Sequence, residues 1–183
     1  MKKVYVINGP AGTGKDTLIY IFRQFTSGAL NVRTFSAVDE VKRYLIEHEG
    51  WDGITKDAFW RNRMYEVKME MVANGDRPTT YLYESAYATP DNSVVFLHIR
   101  EPQEIVKILR RIPEAETIHL DSTRVERFDN PADSQTSEFE YNHYLRNDGS
   151  LEDFIEVVRQ FILSQEAYRN LGLGEQMTFG EVK

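Results

Sequence analysis

Short apolar runs alternate along this chain with longer stretches in which apolar residues recur every three or four positions. Val4-Tyr5-Val6-Ile7 is the first run. Its length and β-branched content predict a strand buried on both faces. Leu18, Ile21, Phe22 and Phe25 follow at helical spacing and predict a helix over about 14–27, with Gly28 as its C-terminal cap. Residues 31–35 read as a second short strand. Ser36-Ala37-Val38-Asp39 has the form of a capping box and predicts a helix to about His48, with Val38, Val41 and Leu45 inward and Gly50 at its end. A third helix is predicted over about 56–73, with Phe59, Val67 and Met71 as core residues. Asn74-Gly75-Asp76 turns the chain into a helix over about 78–86.

The second half repeats the alternation. Val94-Val95-Phe96-Leu97 predicts a buried parallel strand over 93–99, and Pro102 suits the first turn of a helix reaching Arg111. Residues 117–120 predict a short strand. Residues 124–140 are polar with little periodicity and predict a mobile loop. Residues 141–146 predict a last strand. Ser150 then caps a helix over 151–168, whose stripe is Leu151, Phe154, Ile155, Val158, Phe161 and Ile162. A loosely ordered tail is expected from Gly172 onward. No repeat or linker divides the chain, so a single domain over 1–183 is expected.

Strands alternating with helices predict an α/β fold, with a mostly parallel sheet and helices on both faces. Ligands of such sheets bind at the carboxyl ends of the strands. Four polar segments fall at those ends: the one after Ile7, the one after Ile99, Ser122-Thr123-Arg124, and Asn147-Asp148-Gly149. The first is the most informative. Gly9-Pro10-Ala11-Gly12-Thr13-Gly14-Lys15-Asp16-Thr17 lies between the first strand and the first helix. Glycines let the backbone turn its N–H groups toward an anion, the helix N-terminus adds a positive dipole end, and Lys15 reaches the outer phosphates. This is the context of a P-loop. Gly9, Ala11, Gly12, Thr13, Gly14, Lys15, Asp16 and Thr17 are the expected nucleotide-binding residues. The P-loop pattern asks for a hydroxyl directly after the lysine. Here Asp16 stands there and Thr17 follows, so these two are the expected Mg²⁺ ligands.

Composition narrows the partners. A net charge of −7 argues against a general nucleic-acid binder, which needs a basic surface, but leaves room for a small anionic ligand in a local basic pocket. The absence of cysteine excludes thiol and disulfide chemistry. No long apolar segment suggests a membrane span, and a cytoplasmic location is the default expectation.

Gly-Lys-Asp-Thr after a short strand, together with Asn147-Asp148-Gly149-Ser150-Leu151-Glu152 opening the last helix, resembles the phage-type deoxynucleoside monophosphate kinases and related bacterial P-loop proteins. Ser36-Ala37-Val38-Asp39-Glu40-Val41-Lys42 and Ile99-Arg100-Glu101-Pro102 are similar to segments of those bacterial relatives. The resemblance covers residues 3 to about 163. It implies a P-loop NTPase fold of the nucleoside monophosphate kinase type, with ATP and Mg²⁺ as cofactors. It also implies a helical acceptor-binding region over about 36–80, a lid over about 124–140, and Asn147 and Gly149 near the adenine. One departure stands out. Such kinases usually carry an aspartate at the end of the buried strand to hold magnesium through water, and here the comparable residue is His98.

Phosphoryl transfer asks mainly for positioning and positive charge. Arg100 leaves the buried strand at its functional end, and Arg124 and Arg127 begin the expected lid. Arg100 and Arg124, with Lys15, are the candidate catalytic residues. For Arg100 the competing reading is an ion pair with Glu101 or Glu104. Ser36 and Asp39 are candidate acceptor contacts as well as a cap. Of Arg61 and Arg63, which point to different faces, Arg63 is the candidate acceptor ligand. The expected activity is ATP-dependent phosphoryl transfer to a nucleoside or deoxynucleoside monophosphate. The alternatives are another small-molecule kinase of the same fold, or an ATP-binding regulatory protein with little turnover.

Overall fold

The computed structural model describes residues 2–55, 57–125 and 139–169. Its strands are β1 (Lys2–Asn8), β2 (Asn31–Ser36), β3 (Ser93–His98), β4 (Glu116–Asp121) and β5 (His143–Arg146). They form one five-stranded sheet in the order β2-β3-β1-β4-β5, and every neighbouring pair is parallel. β1 runs beside β3 with Lys2 opposite Ser93 and Ile7 opposite His98. The strand that precedes the glycine-rich loop is therefore central, where successive crossovers leave it in opposite directions. The helices are α1 (Lys15–Phe25), α2 (Asp39–Glu49), α3 (Ala58–Ala73), α4 (Arg77–Ala88), α5 (Pro102–Arg111), α6 (Leu151–Ser164) and α7 (Glu166–Arg169).

Alternation along the strands divides the interior in two. Tyr5, Ile7, Val94, Phe96, Ile118 and Leu120 face one side and pack on Leu18, Ile21 and Phe22 of α1 and Phe154, Val158 and Phe161 of α6. Val4, Val6, Val95 and Leu97 face the other side, against Leu82 and Ala86 of α4 and Ile105 and Ile108 of α5. A third, smaller core joins Val41 and Leu45 of α2, Trp51, and Val67 of α3. Residues 36–80 thus carry apolar contacts of their own beside the sheet.

Three sequence expectations are corrected. The second helix begins at Asp39, not at Ser36, because Ser36 is the last residue of β2. Only a turn remains of the expected box: the Asp39 carboxylate accepts from the Ser36 N–H at 2.7 Å, and the Ser36 hydroxyl accepts from the Val38 N–H at 3.4 Å. Phe59 is 65% exposed. The inward face of α3 is the set Trp60, Met64, Val67 and Met71, and Phe59 lies one residue off that spacing. The helix expected over 151–168 breaks at Gln165, whose backbone is extended. The break turns α7 so that the Tyr168 hydroxyl donates to the Tyr5 hydroxyl at 3.1 Å inside the first core. Residues 126–138 of the expected lid, Arg127 among them, and the tail from Gly172 lie outside the described residues.

Candidate phosphate-binding site

β1 delivers its last residue, Asn8, fully buried at the carboxyl edge of the sheet. Its side-chain oxygen accepts from the Gly9 N–H at 2.6 Å. Its amide donates to the Arg100 carbonyl at 3.0 Å and to the Tyr141 hydroxyl at 2.7 Å. One side chain therefore ties the start of the loop to the exit of β3 and to the segment entering β5. Gly9 follows with φ near 138°, and a Cβ there would lie 2.0 Å from the Leu120 carbonyl oxygen. The loop needs glycine at this point because it passes directly over the end of β4. Gly9→Ala is expected to cost about 1–3 kcal/mol through the clash and the strained φ, read as a lower midpoint of urea unfolding.

Lys15 opens α1 and folds back over the loop, donating to the carbonyls of Gly9 and Pro10, each at 2.7 Å. The buried Thr13 hydroxyl closes the turn onto the Pro10 carbonyl at 3.0 Å. No side chain caps the N-terminus of α1. Its first N–H groups and its dipole are thus directed at the mouth of the loop, where an anion is stabilised. Asp16, exposed, and Thr17, half-buried, stand in the first turn.

The exits of β4 and β5 close in from the side. The Asn147 amide donates to the Thr13 carbonyl at 3.0 Å. A Cβ on Gly14, whose φ is near 98°, would meet that amide at 2.6 Å. The Arg124 guanidinium donates to the Asn147 carbonyl at 2.9 Å and to its side-chain oxygen at 2.6 Å. Ser122 donates to the same carbonyl at 2.6 Å. Asp148 takes the backbone N–H of Thr123 at 2.6 Å and its hydroxyl at 3.0 Å, and these hydrogen bonds hold its carboxyl below the usual carboxylate range. Gly149 leaves room for the Ser150–Asp153 capping box of α6, since a Cβ on it would lie 2.5 Å from an Asp153 carboxylate oxygen.

Across the loop, β3 ends in the half-buried His98. Burial pushes its imidazole below the ordinary histidine range. Asp16 and Asp39 act against that shift, and Lys15 and Lys42 act with it. Charged groups from α1 and α2 thus meet at this strand end. The next residue but one, Arg100, is exposed. The two carboxylates of its competing ion-pair reading, Glu101 and Glu104, have a cation of their own. Lys68 of α3, 6% exposed, holds both carboxylates, at 2.6 and 3.1 Å. Arg63 also departs from expectation. Its guanidinium is filled by Glu49 at 2.6 and 2.7 Å, with Glu66 at 3.0 Å, so it clamps α2 to α3 rather than presenting a fork to an acceptor.

No protein-family model matches the chain, and no curated protein is similar to it in sequence. Solved structures are similar in fold. A gluconokinase from Sinorhizobium meliloti 1021 aligns over 94% of this chain and 97% of its own, with TM-score 0.51 and 11% identity. The shikimate kinase of Aquifex aeolicus vf5 aligns over 93% and 99%, with TM-score 0.48 and 16% identity. The Mycobacterium tuberculosis APS kinase CysC, as a Cys556Ala mutant, aligns over 89% and 98%, with TM-score 0.47 and 14% identity. This chain has the P-loop NTPase fold. Its P-loop is the segment from Gly9 to Thr17, and the sheet order, the loop after the central strand and the uncapped α1 all belong to that architecture.

The residues present suit a triphosphate: close backbone turns at Gly9 and Gly14, an uncapped helix end and a lysine on the loop. For magnesium the protein offers the Asp16 carboxylate and the Thr17 hydroxyl. Mg²⁺ commonly takes one or two such groups, with phosphates and water completing its shell. Among the described residues no three His, Asp or Glu side chains cluster to hold a metal by themselves. The sequence reading missed Asn8, Tyr141 and Lys68. A polar residue closing the apolar run of β1 was a signal for Asn8. Lys68 gave none, because a lysine on an amphipathic helix reads as solvated.

Proposed function

We propose that this protein transfers the γ-phosphoryl group of ATP to a nucleoside or deoxynucleoside monophosphate. The observation that carries the reading is Lys15 lying over the Gly9 and Pro10 carbonyls at the mouth of an uncapped helix. The Gly-Lys-Asp-Thr and Asn-Asp-Gly-Ser motifs support a nucleotide as the acceptor. The structural neighbour of TM-score 0.51 is by name a gluconokinase, in keeping with kinase chemistry on this fold. In the proposed reaction Lys15 and the loop amides hold the triphosphate, while Asp16 and Thr17 are the groups that would hold Mg²⁺, whose charge supports the phosphates. Asn147 stands beside the loop where the donor's base would lie, and Arg100 and Arg124 face charge developing on the transferred group. Ser36 and Asp39 border the acceptor, whose ionised phosphate needs no strong base.

A coupled assay over a panel of monophosphates, with and without magnesium, tests this reading. Magnesium-dependent turnover of at least one monophosphate is expected. A second reading, nucleotide binding with little turnover, is favoured by His98 at the end of β3. It predicts ATP binding with no turnover on any acceptor. Within the first reading, Arg100→Lys keeps the charge but loses the planar fork. Turnover is expected to fall more than about tenfold, above roughly 1.4 kcal/mol of transition-state stabilisation, with ATP affinity little changed. Wild-type turnover in that variant removes Arg100 from the site.

A further inference from the structure

His98 closes an otherwise apolar stretch of β3 with a polar ring. In register it lies between Ile7 of β1 and Ser36 of β2. Val94 and Phe96, four and two residues earlier, share the first core with Ile7. Alternation therefore turns the His98 ring to the same face of the sheet, the one that α1 covers. There it stands in the last row, at the carboxyl edge, where α1 begins with Lys15. The charges that act on it come from two sides: Asp16 and Lys15 of α1, and Asp39 and Lys42 of α2. Its backbone is engaged, since the His98 carbonyl accepts from the Ala37 N–H at 3.1 Å. Its ring is half-buried but forms no hydrogen bond among the described residues.

The contrast with Asn8 is informative. Asn8 ends the neighbouring strand and uses its whole side chain inside the protein, on Gly9, Arg100 and Tyr141. The His98 ring does no such work, and a half-buried polar group left without a partner is costly. A β-branched or aromatic apolar residue would suit the strand better. A neutral imidazole carries one N–H donor, and burial favours that neutral form here. The position of the donor says which part of a nucleotide it meets. In a P-loop the lysine reaches the outer phosphates, and His98 lies on the Lys15 side of the loop. Asn147, expected near the donor's base, follows β5, across β1 and β4 from His98.

We propose that His98 is a ligand for the terminal phosphate of a bound nucleoside triphosphate, its ring N–H donating directly to a phosphate oxygen. The proposal rests on the nucleotide-binding part of the kinase reading above. The loop amides and the end of α1 serve diphosphates and triphosphates alike, whereas the His98 contact exists only with the third phosphate. His98 is then a residue by which the protein distinguishes the two. Its contact needs no metal, because the donor is a ring N–H and the acceptor is the phosphate itself.

Calorimetric titration of the full chain tests it, with ADP and the β,γ-imido analogue of ATP as probes, each with Mg²⁺ and with EDTA. His98→Leu and His98→Phe remove the donor and suit a buried strand; His98→Gln keeps an N–H. The first two are expected to weaken the triphosphate analogue about tenfold in both conditions, with ADP affinity unchanged. His98→Gln is expected to recover most of that loss. Equal losses for ADP and the analogue overturn the proposal, because they assign His98 to the shape of the loop. Unchanged affinity for both also overturns it. A loss seen only with Mg²⁺ overturns the direct contact and places the ring on the metal's side. If wild type binds neither nucleotide, the nucleotide reading falls and the proposal with it. If the triphosphate binds in a His98-dependent way but no acceptor is phosphorylated, the kinase reading fails and the assignment of His98 stands.

Discussion

Lys15→Ala is expected to abolish the protein's response to nucleotide while leaving its fold intact. Lys15 is half-buried, and its ammonium donates to the Gly9 and Pro10 carbonyls of its own loop. Those carbonyls sit at the open carboxyl edge of the sheet, where water can replace the lysine, so removing it strands little. The effect on ligand is different. A triphosphate brings several negative charges to a helix end whose dipole and amides cannot balance them alone. At a concentration near 100 times Kd, ATP with Mg²⁺ stabilises the wild type by about 2.7 kcal/mol through linkage. Most of that shift in thermal midpoint is expected to vanish in the variant. Turnover is expected to fall by about 10²–10³, the scale for loss of one preorganised group facing transition-state charge. Equal shifts in wild type and variant would remove the P-loop from the mechanism.

The elements that positioned the site were readable because local and global signals agreed. The apolar runs of β1 and β3 admitted only buried strands, and the glycines between Ile7 and Lys15 needed a reason that a phosphate cradle supplies. Asn147 was placed near the nucleotide from its motif, and the structure sets its amide on Thr13 of the loop. The failures share a different physics. Ser36 and Asp39 satisfied a capping pattern, but pairing of β2 with β3 extends to Ser36 opposite His98, so the helix begins later and only the Ser36 N–H to Asp39 half of the box forms. Phe59 satisfied hydrophobicity but not phase, which tertiary contact with α2 decides. Arg63 and Lys68 are both cations on α3. Which carboxylates face them depends on how α3 lies against α2 and α5, and no local pattern carries that information.

Lys68 makes the second large prediction. Its ammonium is nearly buried between Glu101, which precedes α5, and Glu104 in the first turn. The arrangement joins the helical region to the strand exit that bears Arg100. Two carboxyls share one cation, and they respond in opposite directions. The neighbouring Lys68 charge holds Glu101 below the usual range against the effect of its burial. Burial, with the Glu101 charge adding to it, pushes Glu104 up to about 7. A carboxyl raised in the folded state binds its proton more tightly there than in the unfolded chain. The contribution of Glu104 to stability is therefore greatest below its unfolded pKa and is lost as pH rises toward 7. Lys68→Met keeps much of the side-chain bulk but removes the cation, leaving both carboxyls without a counter-charge. At pH 8 this is expected to cost about 3–5 kcal/mol, the scale for breaking a buried pair by removing one partner. At pH 5 the cost is expected to be smaller, because a proton can replace the lysine on each carboxyl. Adding Glu104→Leu to Lys68→Met is expected to recover part of the loss at pH 8, since one stranded charge is gone. Urea unfolding of the three proteins at both pH values measures this directly. A loss independent of pH, or one that the second substitution does not relieve, would mean that Lys68 acts by packing alone and that its charge does not join α3 to the exit of β3.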